Sequence, residues 1–405
     1  MRVLVINSGS SSLKFSLYET RSSQVGTDPH PVLDGELSGI GDTQAALKFT
    51  RAGEQIEENR PELGADTPAK AAAVVLDLIA APDMPRFDAV GYRVVHPGAK
   101  LVGHQRITPE VFRELEQAIE FAPLHDPAVL EVIRAAMDRY PQLAHYACFD
   151  TEFHRTMPEE AAVYAIPKQF REAGVRRYGF HGLSCESVLH QMQQRAEPLP
   201  ERLVIAHLGS GCSVTAVRDG RSVDTSMGLT PDGGVVMGTR PGDLDPGLVV
   251  YLFRQQQKSM GMEAASDVEH LLNYRSGMVA LSGLENNMKT VRQVALGGSA
   301  EATLALKVFT RGIRKTIGSF AWLLGGLDAI VFTGGIGEHD GATRTESLSD
   351  LEAFGIHLDA SLNAARTDGM TEVSAYDSKT SILIAPAQED LMIAMHVARM
   401  AESDQ

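Results

Sequence analysis

The chain has 405 residues, a length typical of two or three domains. Hydrophobic residues make up 43% and charged residues 22%, which is the balance of an ordinary globular protein. The net charge of -15, from 52 acidic and 37 basic residues, argues against a broad surface for nucleic acid or anionic lipid. An anionic substrate would therefore need a local cluster of arginine or lysine.

The cysteines and the first residues indicate a reducing compartment. Cys148, Cys185 and Cys212 are far apart, odd in number and without a CxxC pair, which makes a disulfide framework or a structural zinc site improbable. The start MRVLVINSGS has an apolar run too short for a signal peptide and is typical of a first strand. No apolar run approaches the roughly 20 residues of a membrane span. We expect a soluble, cytoplasmic protein.

Short apolar segments alternate with helical ones along the chain. The start signals Thr67-Pro68 and Thr108-Pro109 each place a capping hydroxyl before a first-turn proline. An apolar stripe of period 3.6 predicts a helix over Ala302 to Leu324, and Leu391 to Met400 is a closing helix. The predicted strands are Val3–Ile6, Phe15–Tyr18, Ala89–Val95, Leu203–Ala206, Ser213–Val217, Ala329–Thr333 and Ile382–Ala385. This alternation indicates an α/β fold with at least partly parallel sheets.

Two segments share one plan of strand, Gly/Ser turn and second strand. They are VLVINSGSSSLKFSLYE and RLVIAHLGSGCSVTAVRDG, about 200 residues apart. The pair favours a duplicated fold, although two unrelated hairpins would give the same pattern. The boundary is predicted near Asp150. The first domain is then an α/β domain of residues 1–150 joined by the C-terminal helix 388–405, and residues 151–387 form a nucleotide-binding α/β domain.

Three glycine-rich turns, each after an apolar strand, suit the phosphates and sugar of a nucleotide. Small residues let backbone N–H groups approach an anion closely. The turns are NSGSSSLK from Asn7 to Lys14, HLGSG from His207 to Gly211, and TGGIGE from Thr333 to Glu338. None matches GxxxxGK[ST] or GxGxxG, and any one alone is more often a tight hairpin. The three together favour nucleotide binding.

Two arginines lie in Gly/Pro-rich contexts, Arg93 in GYRVVHPG and Arg240 in MGTRPGD. A guanidinium offers a fixed fork of donors that suits carboxylate or phosphate. A lone arginine is more often part of a surface ion pair, but the loop context favours a binding site.

Further candidates are one aspartate, two histidines and one glutamate. Asp150 ends YACFD, where open α/β sheets place function. His125 in APLHDP and His181 in RYGFHG can donate to developing charge, although a single histidine is more often structural. Glu389 precedes the last helix, where it is either a partner of the helix dipole or a ligand of Mg²⁺.

These motifs together resemble the acetate kinase (acetokinase) family. Besides VLVINSGSSSLKFSLYE, the blocks YRVVHPG, APLHDPA, FDTEFHRTMP, RRYGFHG, HLGSGCSVTAVRDGRSVDTSMGLTP, MGTRPGDLDPG and VFTGGIGE follow the family's order over nearly the whole chain. The resemblance implies the duplicated acetate and sugar kinase/Hsp70/actin (ribonuclease H-like) architecture with an interdomain active-site cleft. It also implies a homodimer that transfers phosphoryl groups reversibly between ATP and acetate, with Mg²⁺ as cofactor and Mn²⁺ able to substitute.

The resemblance assigns roles to individual residues. The catalytic set is Arg93, His125, Asp150, His181 and Arg240, with Asn7 and Glu389 on the metal. Arg93 also binds the substrate carboxylate, and the acyl pocket consists of Val95, Leu124, Phe180 and Pro231. The nucleotide side consists of Ser12, Lys14, His207, Leu208, Gly209, Ser210, Gly211, Asn287, Met288, Lys289, Gly335, Ile336, Gly337, Glu338 and His339.

Some positions depart from the family pattern. Ser210 replaces an asparagine, and Leu183 and Cys185 stand at usually polar positions. Asn287-Met288-Lys289 lacks the acidic residues of the adenine-side segment, and the terminal N-E-E is Gln388-Glu389-Asp390. These changes put nucleotide affinity in doubt. The alternatives are a propionate kinase, a weakened paralogue, or a non-catalytic actin- or Hsp70-like nucleotide-binding protein.

Overall fold

The computed structural model describes residues 1–9, 12–20, 28–41, 45–51, 54–59, 65–122, 126–195, 197–260, 263–365 and 369–404. The chain divides into two compact units. The N-terminal unit comprises Met1–Glu152 and Gln388–Gln405, and the C-terminal unit comprises Phe153–Ala387. Across these described ranges, no helix has both the length and the apolar character that a membrane span requires.

An eight-stranded sheet forms the N-terminal unit, in the order β5-β4-β3-β2-β1-β6-β8-β7. Strands β1 and β2 form an antiparallel hairpin, while β1, β6 and β8 run parallel. The strands are β1 Arg2–Ser8, β2 Ser12–Glu19, β3 Pro31–Ser38, β4 Ala46–Arg51, β5 Glu54–Asn59, β6 Ala89–Val94, β7 Gln105–Arg106 and β8 Ala144–Phe149.

Helices cover both faces of this sheet. Leu4 and Ile6 of β1 pack in a core with the helices α1 and α3, and Val3 and Val5 point to the opposite face, where the last helix, α15, packs. This is why β1 is continuously apolar, as strands buried on both faces are. The helices of this unit are α1 Pro68–Ile79, α2 Pro109–Ala118, α3 Asp126–Arg139 and α15 Glu389–Ser403.

The predicted helix starts at Thr67 and Thr108 are confirmed. The Thr67 hydroxyl accepts from the N–H of Lys70, and the Thr108 hydroxyl accepts from the N–H of Val111, both at 3.3 Å. In each case the proline follows as the first helical residue. The cap supplies an acceptor for a backbone donor that has no partner inside the helix.

A six-stranded sheet forms the C-terminal unit, in the order β11-β10-β9-β12-β14-β13. Its strands are β9 Arg202–Leu208, β10 Cys212–Arg218, β11 Arg221–Thr225, β12 Ala329–Thr333, β13 Thr371–Glu372 and β14 Ser381–Ile384. Its helices are α4 Glu159–Ala162, α5 Lys168–Glu172, α6 Gly182–Gln193, α7 Pro246–Met260, α8 Ala264–Tyr274, α9 Gly277–Ser282, α10 Met288–Leu296, α11 Ala300–Leu323, α12 Gly334–His339, α13 Gly341–Leu348 and α14 Ala360–Ala364.

The predicted duplication is confirmed by the two sheets. The run β3-β2-β1-β6-β8 in one matches β11-β10-β9-β12-β14 in the other, with the same pattern of antiparallel and parallel neighbours. The two similar sequence segments are the hairpins β1–β2 and β9–β10. In each hairpin a glycine N–H at the start of the turn donates to a carbonyl on the other side of the turn. The N–H of Gly9 donates to the carbonyl of Ser12, and the N–H of Gly209 donates to the carbonyl of Gly211.

Candidate active site

Functional candidates of the N-terminal unit gather at the carboxyl ends of its parallel strands. Asn7 lies near the end of β1, Arg93 near the end of β6, and Asp150 directly after β8. The N–H of Asp150 bonds the carbonyl of Val94 at 3.0 Å, which continues the pairing of β6 with β8 by one residue. Ligands of open α/β sheets bind at this edge.

Arg93 is held between two carboxylates. Its Nη2 donates to Oδ2 of Asp150 at 2.6 Å, and its Nε lies 3.7 Å from Oε2 of Glu389. Asp150 is completely buried and the Arg93 side chain is 17% exposed, so the alternative of a surface ion pair is excluded. Burial acts to lower the pKa of Arg93, but the charges of Asp150 and Glu389 outweigh it and raise the pKa. The guanidinium is therefore charged and fixed in direction.

Asn7, Glu389 and Asp390 form a cluster of side chains with oxygen atoms that could bind a metal, next to Arg93 and Asp150. Nδ2 of Asn7 donates to Glu389 at 3.3 Å and to Asp390 at 3.2 Å, and the Ser16 hydroxyl donates to Asp390 at 2.8 Å. Burial raises the pKa of Asp390, while the hydrogen bonds from Ser16 and Asn7 act to lower it. One amide and two carboxylates are the hard ligands that suit Mg²⁺, so this donor set fits the ion.

Asp126 is a buried acid that the sequence analysis did not single out. It is 2% exposed, and its Oδ1 accepts from the N–H of His96 at 3.4 Å. Its Oδ2 has no hydrogen bond with any described residue. Burial raises the pKa of Asp126 to about 8, against the lowering effects of His96 and Arg93. Its position next to His125 in APLHDPA was the available signal.

Two predicted residues, Leu124 and His125, lie outside the described residues. Their predicted roles, in the acyl pocket and on the phosphoryl group, stay predictions. Ser12 and Lys14 lie on β2, where Lys14 is exposed and pairs in register with Asn7 of β1. Val95 directly follows β6 and is 5% exposed.

Two stacked histidines form the centre of the candidate cluster in the C-terminal unit. His181 has a left-handed backbone, with φ of 59°, and stands just before α6. Its ring stacks on that of His207, with 4.0 Å between centroids and 25° between planes. Nδ1 of His181 lies 3.0 Å from the Ser213 hydroxyl, and Nδ1 of His207 lies 2.7 Å from the Ser184 hydroxyl. Both serines were missed, because buried serines have no distinctive sequence signal.

Arg240 and His181 both lie beside Gly211, in the turn between β9 and β10. A methyl group placed on Gly211 would lie 3.1 Å from Nη2 of Arg240 and 3.4 Å from Nε2 of His181. The other end of the guanidinium donates from Nη1 to the carbonyl of Pro231 at 2.7 Å. Burial raises the pKa of Asp232, and Arg240 opposes that shift. The unit therefore presents a cation and an imidazole beside a glycine of the turn, where no side chain intervenes.

The third glycine turn lies beside the second. Thr333, at the end of β12, is in register with His207 of β9, and α12 starts immediately afterwards. A methyl group on Gly334 would lie only 2.8 Å from the carbonyl of Leu208, whereas one on Gly335 would meet nothing within 4 Å. The backbone at Gly335 is thus open to a ligand. The turn also contains the predicted nucleotide residues Ile336, Gly337, Glu338 and His339, which form the rest of α12.

The predicted adenine-side segment occupies the start of α10. The Asn287 side chain caps this helix, accepting from the N–H groups of Lys289 at 3.0 Å and Thr290 at 3.3 Å. The residue before it, Asn286, donates from Nδ2 to the Ser210 hydroxyl at 2.9 Å. Asn286 was not predicted as a site residue. Its exposed side-chain amide lies next to Ser210, the position where this chain has serine in place of the family's asparagine.

The remaining acyl-pocket candidates, Phe180 and Pro231, are buried in the C-terminal unit. The carbonyl of Phe180 bonds Nε2 of His154 at 2.9 Å, which fixes the backbone immediately before His181.

Comparison with known proteins covers the whole chain. Residues 2–395 match the family model described as the acetokinase family. An acetate kinase of Deinococcus radiodurans is 42% identical over 98% of both chains, and one of Halothermothrix orenii is 39% identical over 100% of both.

Solved structures give the same result. The acetate kinase of Porphyromonas gingivalis aligns with a TM-score of 0.82 at 33% identity, covering 99% of each chain. A propionate kinase of Francisella tularensis aligns with a TM-score of 0.86 at 33% identity, covering 98% of each. The fold and these full-length relatives define an enzyme of the phosphotransferase class. The chain belongs to the acetokinase family.

Proposed function

We propose that this enzyme transfers the γ-phosphoryl group of ATP reversibly to acetate, giving acetyl phosphate and ADP. The observation that carries the proposal is the Arg93 guanidinium, fixed by buried Asp150 and by Glu389 at the carboxyl ends of β6 and β8. A fork of donors fixed in this way suits a small carboxylate. The names of the full-length relatives support the same reaction.

The chemistry requires little of the protein besides position and charge. Acetate is ionised at neutral pH, so its oxygen attacks the γ-phosphorus directly and no base is needed. The new O–P bond forms as the bond from the γ-phosphorus to the bridging oxygen breaks, and ADP leaves with that electron pair. Asp150 bonds Arg93 at 2.6 Å, so we assign it the role of orienting Arg93 rather than of accepting a proton.

The clusters described above have different roles in the proposed reaction. Arg93 binds the acetate carboxylate, while Arg240 and His181 stabilise the charge on the three oxygens of the phosphoryl group. Asn7, Glu389 and Asp390 would hold Mg²⁺. When bound, that ion neutralises phosphate charge. The open backbone at Gly335 and the turn at Gly211 bind nucleotide phosphates through N–H groups.

The alternative acceptor is propionate. The observation that favours it is the Francisella tularensis structure, which is named a propionate kinase and aligns over 98% of each chain. The bulk of Val95 favours acetate, because a larger side chain leaves less room for an added methylene. A nucleotide-driven binding protein without turnover would not need Arg93, Arg240 and His181.

We also propose a homodimer in the cytoplasm. The support for the dimer is α7, whose exposed apolar residues are Leu248, Val250, Tyr251 and Phe253. Large contiguous apolar patches on a protein surface mark interaction sites, and these four side chains lie on one helix. Light scattering of the purified protein would test it, and a monomer mass at micromolar concentration would contradict it.

The decisive experiment is an assay of the purified protein with Mg-ATP and acetate, propionate or butyrate, in which hydroxylamine traps the acyl phosphate. We expect acetate to be the best substrate. Arg93→Ala should lower kcat by about 10³ or more. The matched control is Arg134→Ala, since Arg134 forms an exposed pair with Glu116 and its loss should leave kcat unchanged. An Arg93→Ala enzyme with normal turnover would refute the assignment.

A further inference from the structure

Ser213 is buried, with 1% of its surface exposed, and lies on β10 directly across from His207 on β9. Its hydroxyl approaches Nδ1 of His181 at 3.0 Å. Within the described part of the chain this is the only side-chain hydrogen bond of Ser213. The hairpin β9–β10 therefore supplies both the ring on which His181 stacks and the hydroxyl that meets its Nδ1.

A neutral imidazole has one N–H, and its two nitrogens take opposite roles. A buried hydroxyl also needs an acceptor for its single proton, because an unpaired buried donor is costly. Since the Ser213 proton has only His181 Nδ1 to bond, Nδ1 accepts and the ring proton stands on Nε2. That is the nitrogen that lies near Gly211 and Arg240.

A second serine–histidine pair in the same unit shows this arrangement outside the candidate site. Nε2 of His154 lies 2.9 Å from the carbonyl of Phe180, and Nδ1 lies 3.0 Å from the hydroxyl of Ser222. A carbonyl can only accept, so in neutral His154 the proton is on Nε2 and Nδ1 accepts from Ser222. The Ser213 to His181 pair has the same atoms and the same distance.

We propose that Ser213 is a positioning residue that holds neutral His181 in the Nε2–H tautomer, so that His181 donates from Nε2 whether or not it is charged. This rests on the proposed function, in which His181 donates to the phosphoryl group. In the wild-type enzyme, deprotonation of His181 then removes a charge but not the hydrogen bond. Without Ser213, the neutral ring can place its proton on Nδ1, and donation from Nε2 is assured only when the ring is protonated.

Two charged or titratable groups of the same unit lie beside the His181 ring. His207 faces it from β9, and Arg240 reaches the same point from the loop before α7. On β10 the neighbouring Cys212 thiol stays neutral, because burial raises its pKa to about 12. Arg240 already supplies positive charge there, so what His181 adds in its neutral form is a directed N–H.

The test is the pH profile of Ser213→Ala. At pH 8, above the reference imidazole pKa of about 6.5, we expect kcat to fall about tenfold, with a smaller change in the KM for ATP. Protonated His181 has both N–H groups, so we expect the loss to be much smaller at pH 5.5. Ser213→Thr keeps the hydroxyl and should keep the wild-type profile. Ser222→Ala is the matched control for stability, and its profile should not change.

Two further readouts separate positioning from a structural role. In a His181→Ala background, Ser213→Ala should have no additional effect on kcat. Nitrogen-15 spectra of labelled histidine at pH 8 should show His181 protonated at Nε2 in the wild type. A wild-type proton on Nδ1, or an equal loss in Ser213→Ala at both pH values, would overturn the proposal. A His181→Ala enzyme with normal kcat would instead refute the role of His181 in the proposed function, while the spectra would still decide the tautomer.

Discussion

A glycine on β6 lets the last helix, α15, pack close to the sheet and so positions Glu389 and Asp390 beside Asn7. A methyl group on Gly91 would lie 2.6 Å from Cγ2 of Val397 and 2.8 Å from Cγ2 of Ile393. Ordinary carbon contacts begin near 3.5 Å, so α15 must move by about 1 Å to admit it. Overpacking of this kind costs roughly 1–3 kcal/mol. The same displacement moves Glu389 in the first turn of α15, and a 1 Å error at a catalytic group costs about 10²-fold.

We therefore expect Gly91→Ala to lose about 1–3 kcal/mol of unfolding free energy, to lower kcat, and to raise the Mg²⁺ concentration for half-maximal activity. Urea denaturation and a Mg²⁺ titration of acyl phosphate formation measure these effects. Adding Val397→Ala removes the nearer of the two contacts. The double variant should regain part of the stability, of kcat and of the Mg²⁺ response. Gly318→Ala is the control, because a methyl there meets nothing within 4 Å. If Gly91→Ala matched the wild type in stability and Mg²⁺ response, the proposed link between α15 packing and the cluster of Asn7, Glu389 and Asp390 would be wrong.

Three further predictions follow from single residues. Because the pKa of Asp126 rises from 3.8 to about 8 on folding, its native state retains a proton that the unfolded chain releases, so stability falls as pH rises from 4 to 8. Asp126→Asn should then raise Tm more at pH 8 than at pH 5, and an equal change at both would contradict the shift. Ser210→Asn should lower the KM for ATP or raise kcat. The effect should be clearest when Ser210→Asn is combined with Asn286→Ala, which removes the amide now bonded to Ser210. A loss of activity on Ser210→Asn, with and without Asn286→Ala, would count against this prediction. The wild type should prefer acetate over propionate by roughly 10- to 200-fold in kcat/KM. Val95→Ala should shift that ratio toward propionate. An unchanged ratio in a stably folded Val95→Ala variant would disprove this role of Val95.

Local patterns were enough to predict the duplicated hairpins and the central strands of both sheets, which are β1, β2, β6, β9, β10, β12 and β14. The predicted strand Ala329–Thr333 has the observed bounds of β12, and the helix predicted over Ala302 to Leu324 is observed as Ala300–Leu323. Apolar periodicity and turn residues report the face that each segment buries. The strands β3, β4 and β11, which lie on the outer side of each hairpin, were not predicted. The polar strand β5 and the two-residue strands β7 and β13 also have too little apolar pattern to be found in this way.

The partners inside the candidate site were harder to predict. Sequence context singled out Arg93, Asp150 and Glu389, the resemblance gave them roles, and the structure places them together. Neither the context nor the resemblance gave a signal for Ser16, whose bond to Asp390 joins residues 374 positions apart. A hydrogen bond of that separation depends on strand register and helix packing, which the amino-acid order near either residue does not encode. The catalytic roles of all these residues stay predictions until they are measured.

The discontinuity of the N-terminal unit has a consequence for synthesis. The ribosome makes the C-terminal unit, Phe153–Ala387, before it makes α15. Domains tend to fold as units in the order of synthesis, but the N-terminal unit lacks the helix that covers Val3 and Val5 of β1 until the C-terminal unit has been made. One apolar face of its sheet is therefore exposed in the nascent chain while more than 200 residues are added. This is the interval in which aggregation, or binding of a chaperone, would compete with folding.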